Sequence, residues 1–239
     1  MRVLRKGGAY LYADGSPYGQ ARAGLAARIG RYCSYCERRE NLLEVEHIQP
    51  KDAHLAKERL WSNFLLSCKN CNSIKRTKDP QLTDWLIPDR DNTMAAFVYR
   101  QDGIVDIAPM VPLALIPAAK ATLDLVDLNK EVREVLDDAG NLVALDRRSQ
   151  RLEAWLLAKR FRLHWDKVPS PALQDAIMEL ARTGGFFSIW MSAFDGVAQI
   201  RQGFIQLFPG TESACFDPVS SAANRPHPNA DGLDAGGKL

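Results

Sequence analysis

With 239 residues, 46% of them hydrophobic and 25% charged, the chain can bury a sizeable core as one domain or two small ones. No stretch approaches eighteen consecutive apolar residues, which excludes a membrane-spanning helix. The net charge of +2 conceals an asymmetry: residues 1–80 hold 15 lysines and arginines against 8 acidic residues, and the remainder is acidic, so the first third is expected to face a polyanion.

Residues 1–19 carry turn formers (Gly7-Gly8, Asp14-Gly15, Ser16-Pro17) and read as a loosely ordered arm. The Ala- and Arg-rich run 20–30 predicts a short helix that stops at Gly30. Residues 42–48 alternate as a strand with Leu43, Val45 and His47 on one face, and Pro50 ends it. Phe64-Leu65-Leu66-Ser67 is a second short strand, and Asn72 to Arg76 must open a helix or turn. Beyond residue 81, Gln101-Asp102-Gly103 between two apolar runs predicts a hairpin over 95–108. Helices are predicted at 118–126, at 129–137 before Gly140, and at 147–165 with Asp146 as N-cap. A further helix opens at Ser170-Pro171 and runs to Thr183, and two aromatic-rich helices close the fold over 186–194 and 196–208. Residues 217–239, rich in Pro, Ala, Gly, Asn and Asp, read as a disordered tail.

Four of the five cysteines form two C-x-x-C pairs, Cys33/Cys36 and Cys68/Cys71. The opening of the chain is basic but lacks the apolar run of a signal peptide, so a cytoplasmic location is expected, where such pairs favour metal over disulfide. Two matched pairs fit a tetrahedral four-thiolate structural zinc site. The separation between them exceeds that of a compact zinc ribbon, so the 31 residues at 37–67 are an insert stapled by the metal. That insert carries Glu46 and His47, and Asn72 directly follows its far clamp. An imidazole titrates near neutrality and can take a proton from water, which suits His47 as general base. Glu46 and Asn72 offer the oxygen donors that a hard divalent ion such as Mg²⁺ or Mn²⁺ accepts. Because strand neighbours face opposite sides, a kink near Pro50 is needed to bring Glu46 and His47 to one site. Lys69, Lys75, Arg76 and Lys78 are candidate DNA phosphate contacts. Cys215 reads as a buried or idle thiol, His54 as a loop residue, and His164 and His227 as structural and tail residues.

Taken together, Cys33-x-x-Cys36, Glu46-His47-Ile48-x-Pro50, Asn63-Phe64-Leu65-Leu66 and Cys68-x-x-Cys71-Asn72-x-x-Lys75 resemble the HNH endonuclease signature over residues 33–78. The resemblance implies an α+β fold: a small zinc-stapled ββα-metal core with a mostly helical C-terminal region containing one hairpin. It implies His47 as general base, Glu46 and Asn72 as holders of the catalytic ion, and Asn63 as the catalytic-motif Asn that steadies the inter-strand loop. Here Asn72 replaces the family's third His, and Arg76 replaces the frequent Gly after the lysine. The expected division is an arm at 1–19, the HNH domain at 20–84, a helical accessory region at 85–216 and the tail at 217–239. Three further blocks, 87–93, 185–191 and Phe208-Pro209-Gly210-Thr211, resemble HNH proteins of bacterial anti-phage systems, Septu-like and some retron-type, in which the nuclease is paired with an ATPase. The implied partners are DNA and an ATPase or reverse transcriptase, with no membrane. A non-catalytic zinc module that binds nucleic acid or protein is the alternative, and a C-terminal region that restrains the nuclease until a partner signals is a third reading.

Overall fold

The computed structural model describes residues 1–130, 135–136, 139, 142–144 and 147–239. Its architecture is α+β, with eight α-helices and three two-stranded antiparallel hairpins among the described residues. Helix α1 (Ala21–Ile29) ends at Gly30, whose φ of +75° is the left-handed conformation that favours glycine. It precedes the first cysteine knuckle. Strands β1 (Glu44–His47) and β2 (Phe64–Ser67) then pair with Glu44 opposite Ser67 and His47 opposite Phe64. Helix α2 (Lys69–Lys75) follows from the second knuckle without a break, completing a ββα unit. Its N-cap is Cys68, whose sulfur accepts the Cys71 amide at 3.5 Å.

The remaining elements are α3 (Thr93–Ala96), the hairpin β3–β4 (Phe97–Tyr99, Val105–Ile107), α4 (Ile116–Leu125) and the backbone pair β5–β6 (Val135–Leu136, Leu142–Ala144). Helices α5 (Arg147–Lys167), α6 (Pro171–Gly184), α7 (Phe187–Ala193) and α8 (Ala198–Leu207) complete the fold. Ser170 caps α6 by accepting the Leu173 amide, with Pro171 at the first helical position as the Ser-Pro pair predicts. The helix predicted over 129–137 falls largely outside the described residues, and its positions 135–136 are paired as strand. Asp146 and Gly140 also lie outside them. No helix among the described residues is long and apolar enough to cross a membrane.

Two expectations are corrected. Residues 1–6 are not a loose arm: Met1, Val3 and Leu4 are buried, and Arg2 donates to the carbonyls of Ile29 and Pro209 at 2.6 Å each. Leu4 bridges Thr211, and Lys6 donates to the Phe64 carbonyl while pairing with Asp89 at 2.7 Å. Turn formers at 7–17 masked the apolar residues before them. Even that turn region braces the ββα unit, because Asp14 accepts the Trp61 amide and the Trp61 indole donates to Gly7. Residues 217–239 are not a free tail either. Leu239 accepts the Asn92 amide at 2.8 Å, Asp231 accepts the Gly7 amide, and buried His227 contacts the Leu4 carbonyl. The tail is anchored by backbone and polar contacts, so a composition poor in large apolar side chains gave no sign of it.

These contacts also give the block 87–93 its physical content. Asp89 neutralises Lys6 and Arg90, Asp91 accepts the Ile87 and Lys238 amides, and Asn92 donates to the Cys215 and Arg225 carbonyls. It is the knot joining both terminal segments to the core. Cys215 is buried and its thiol is pushed up by burial.

Candidate metal centre and nuclease site

The four knuckle cysteines converge. Their sulfurs lie within 4.8 Å of one another, all buried, and Cys36 and Cys68 are 3.7 Å apart. A tetrahedron with metal–sulfur bonds of about 2.3 Å has sulfur–sulfur edges of about 3.8 Å, so the cluster has the size to hold one ion. Burial pushes the Cys33 thiol well up. Four thiolates in such a place need a cation among them. Two guanidinium groups flank the cluster: Arg147 donates to Cys71 Sγ at 3.3 Å, and the Arg38 pKa, though burial opposes it, is raised by Cys36, Glu40 and Cys68. Arg147 also donates to the Val126 and Asp127 carbonyls, tying the start of α5 to the metal cluster.

The first knuckle is locked to the C-terminal helices. Glu37, buried, accepts the Ser188 amide at 2.8 Å and its hydroxyl at 2.5 Å, capping α7, while its own carbonyl accepts the Phe186 amide. Arg38 and Gly185 form an isolated bridge there. A Cβ on Gly185 would sit 2.5 Å from the Glu37 carbonyl, and its φ is +78°, so only glycine fits. The Gly-Phe-Phe-Ser block at 185–188 is therefore the receptor for the knuckle.

The β1–β2 register sends Glu44 and Glu46 to one face and Val45 and His47 to the other. The structure does not bring Glu46 and His47 onto a common face. Glu46 points towards α2, buried, and pairs with Lys75 at 2.7 Å. Burial raises its pKa, and Lys75 opposes that. Lys75 also donates to the His47 carbonyl at 2.7 Å. At 1% exposure it cannot serve as a surface phosphate contact, which corrects the expectation for this residue. Lys69 and Arg76 are exposed, while Lys78, also exposed, donates to the Asp124 and Leu125 carbonyls at the end of α4. Arg76 adopts φ +46°, ψ −122° at the C-cap of α2, a conformation suited to the glycine it replaces, and α2 nevertheless begins at Lys69.

His47 is half-buried between the rings of Tyr18 (4.8 Å) and Phe64 (5.2 Å), both edge-on. Its Nε2 lies 2.9 Å from the Glu58 carbonyl. A carbonyl can only accept, so Nε2 carries the proton and Nδ1 holds the free lone pair. Burial lowers the His47 pKa, the Glu58 hydrogen bond opposes this, and Lys51 and Lys75 lower it further. The ring is thus neutral near pH 7. Asn63 is buried and clamps the inter-strand loop: its oxygen accepts the Gln49 amide at 2.8 Å and its nitrogen donates to the Gln49 and Lys57 carbonyls. With both ends of its amide so engaged, it positions the loop and does not face a reacting atom. Asn72, half-exposed on α2, donates to Glu44 at 2.5 Å.

Sequence reasoning missed Tyr18, Lys51, Glu44 and Arg147. Lys51 stands over the Tyr18 ring at 5.2 Å, which places a cation near His47. Period-two alternation in β1 puts Glu44 on the face of Glu46, so that residue was findable; Tyr18 and Arg147 come from distant segments and carried no signal, and Lys51, four residues after His47, lies in a polar loop whose course the sequence left open. His54 pairs with Asp79 at 2.7 Å, away from His47.

The ββα hairpin-helix, with a histidine at the end of its first strand and cysteine knuckles at both ends, lies within residues 33–78, and these residues match the HNH endonuclease family. The chain is also similar to the Septu protein PtuB of Bacillus thuringiensis, with 36% identity over 123 residues, covering 48% of this chain and 43% of that protein. It therefore spans less than half the length of that curated relative.

Proposed function

We propose that the protein is a metal-dependent HNH endonuclease that hydrolyses DNA phosphodiester bonds, with His47 as its general base. The observation that carries this reading is the commitment of His47 Nε2 to the Glu58 carbonyl, which leaves Nδ1 as a neutral, oriented acceptor for a water proton. Tyr18 and Phe64 hold the ring on either side, and Asn63 fixes the loop that supplies the backbone around it.

Glu46 and Asn72 would hold the catalytic divalent ion. A carboxylate and a neutral amide oxygen match the preference of Mg²⁺ or Mn²⁺ for few protein oxygens, and Asn72 Oδ1 has no hydrogen-bond partner among the described residues. An ion bound there supplies charge neutralisation at the phosphate and leaving oxygen. Structural zinc in the Cys33, Cys36, Cys68 and Cys71 cluster would fix α2 and the hairpin, separate from the chemistry. Lys69, Arg76 and Lys51 would meet phosphates without reading bases.

The likeness to a Septu protein supports a role in anti-phage defence; an ATPase or reverse transcriptase partner and a cytoplasmic location complete the proposal. The test is cleavage of plasmid with Mg²⁺ or Mn²⁺, alone and with a partner encoded beside it, against His47→Ala. Equal cleavage by wild type and variant, or none under any of these conditions, defeats the assignment. The ion pair that buries Glu46 favours a second reading, a non-catalytic zinc module. It predicts salt-sensitive DNA binding without cleavage.

A further inference from the structure

Glu44 is the unassigned acidic group at this site. It lies two residues before Glu46 on the same face of β1, and Asn72 Nδ2 donates to its Oε2 at 2.5 Å. A carboxylate only accepts, so it can bind only the amino end of the Asn72 amide. The carbonyl end is thereby turned the other way, and it carries no hydrogen bond among the described residues.

That orientation matters because of the side chain found at this position. An amide has one end that can coordinate a cation and one that repels it, and the two have nearly the same shape. Rotation by half a turn about the last side-chain bond exchanges them, so an amide needs a partner that selects one end. Lys75, three residues further along α2, is already occupied by Glu46 and the His47 carbonyl. Glu44 is the only partner that Asn72's side chain has among the described residues.

We propose that Glu44 is a positioning residue, which holds the Asn72 amide so that Oδ1 faces the divalent ion, without ligating the ion itself. The inference rests on the reading that Glu46 and Asn72 bind that ion. Loss of such outer-shell partners generally weakens metal affinity 10–100-fold.

The experiment is a Mn²⁺ titration of the full zinc-loaded chain, with free Mn²⁺ read from its six-line electron paramagnetic resonance signal, so that no turnover is needed. Glu44→Gln is expected to weaken Mn²⁺ binding by about 10–100-fold with melting unchanged, because the new amide can donate to Asn72 Oδ1 and favour the flipped form. Glu44→Asp, which keeps an acceptor, should retain most of the affinity, and Glu44→Ala serves if the Gln variant folds poorly. In an Asn72→Ala background, Glu44→Gln should have no further effect. Two outcomes overturn the proposal while leaving the ion site intact. One is wild-type affinity in Glu44→Gln alongside a loss in Asn72→Ala. The other is additive losses in the double variant, which would make Glu44 a ligand in its own right. If Asn72→Ala and Glu46→Ala both bind Mn²⁺ as wild type does, the site reading itself fails and the proposal goes with it.

Discussion

Replacing Lys75 by Met separates two roles for this lysine. Its ammonium lies 2.7 Å from Glu46, with both side chains at 3% exposure or less, and donates to the His47 carbonyl as well. Removing one member of a buried pair leaves the other charge uncompensated, at a cost of about 3–5 kcal/mol. For a chain of this size each kcal/mol moves the melting temperature by roughly 2–4 °C, so a drop of about 6–20 °C is expected. The deficit also has a pH sign. Burial raises the folded-state pKa of Glu46, and loss of Lys75 removes what opposes it. A carboxyl with a raised folded pKa favours the folded state below its unfolded value near 4.5, and that benefit is lost as pH rises through the folded value. The Lys75→Met deficit should therefore be smaller at pH 5 than at pH 8, and the double change with Glu46→Gln should recover most of it. Melting is followed by circular dichroism without added divalent ion, with exposed Lys69→Ala as the reference. If Lys75→Met melts like Lys69→Ala and instead loses DNA binding in a salt-dependent way, the lysine is a phosphate contact and the buried-pair argument is wrong.

Cleavage rate should hold a plateau at pH 7 and fall only below about 6.5, because burial and Lys51 both lower the His47 pKa. Lys51→Glu should move that acid limb upward, as a pH–rate series will show. Arg76→Gly should stabilise the chain by about 1 kcal/mol, since it relieves a positive φ, and chemical denaturation measures the gain. Gly185→Ala should destabilise severely, with a Cβ 2.5 Å from the Glu37 carbonyl, and the melting temperature reports it.

The hairpin and most helices were legible because each is local (strand alternation, a Ser-Pro start, a Gly stop), whereas α2 opens at Lys69, three residues before the expected start at Asn72, because the Cys68 sulfur serves as its N-cap. The cysteine cluster was legible for a different reason, since few chemistries place four sulfurs in two matched pairs. What failed was long-range. Residues 1–6 are followed by turn formers and residues 217–239 are short of large apolar side chains, and both are held in part by bonds to partners 90 to more than 200 positions away. Lys75 was misassigned because a lysine beside a metal motif looks the same in sequence whether it faces phosphate or a buried carboxylate. Only the burial of Glu46 decides between them.

The contacts Arg147–Cys71 and Glu37–Ser188 bear on where this protein can be cut. Each end of the stapled hairpin leans on a residue more than seventy positions downstream. A fragment ending after residue 85 would leave the buried Glu37 carboxylate without the α7 amide it caps and Cys71 without the Arg147 guanidinium. The zinc-knuckle ββα unit is thus a borrowed keystone: contiguous in sequence, yet finished by the rest of the chain. Chelating the metal should accordingly speed amide exchange in α5 and α7 as well as in the hairpin, so that damage to the knuckles is felt at the far side of the molecule.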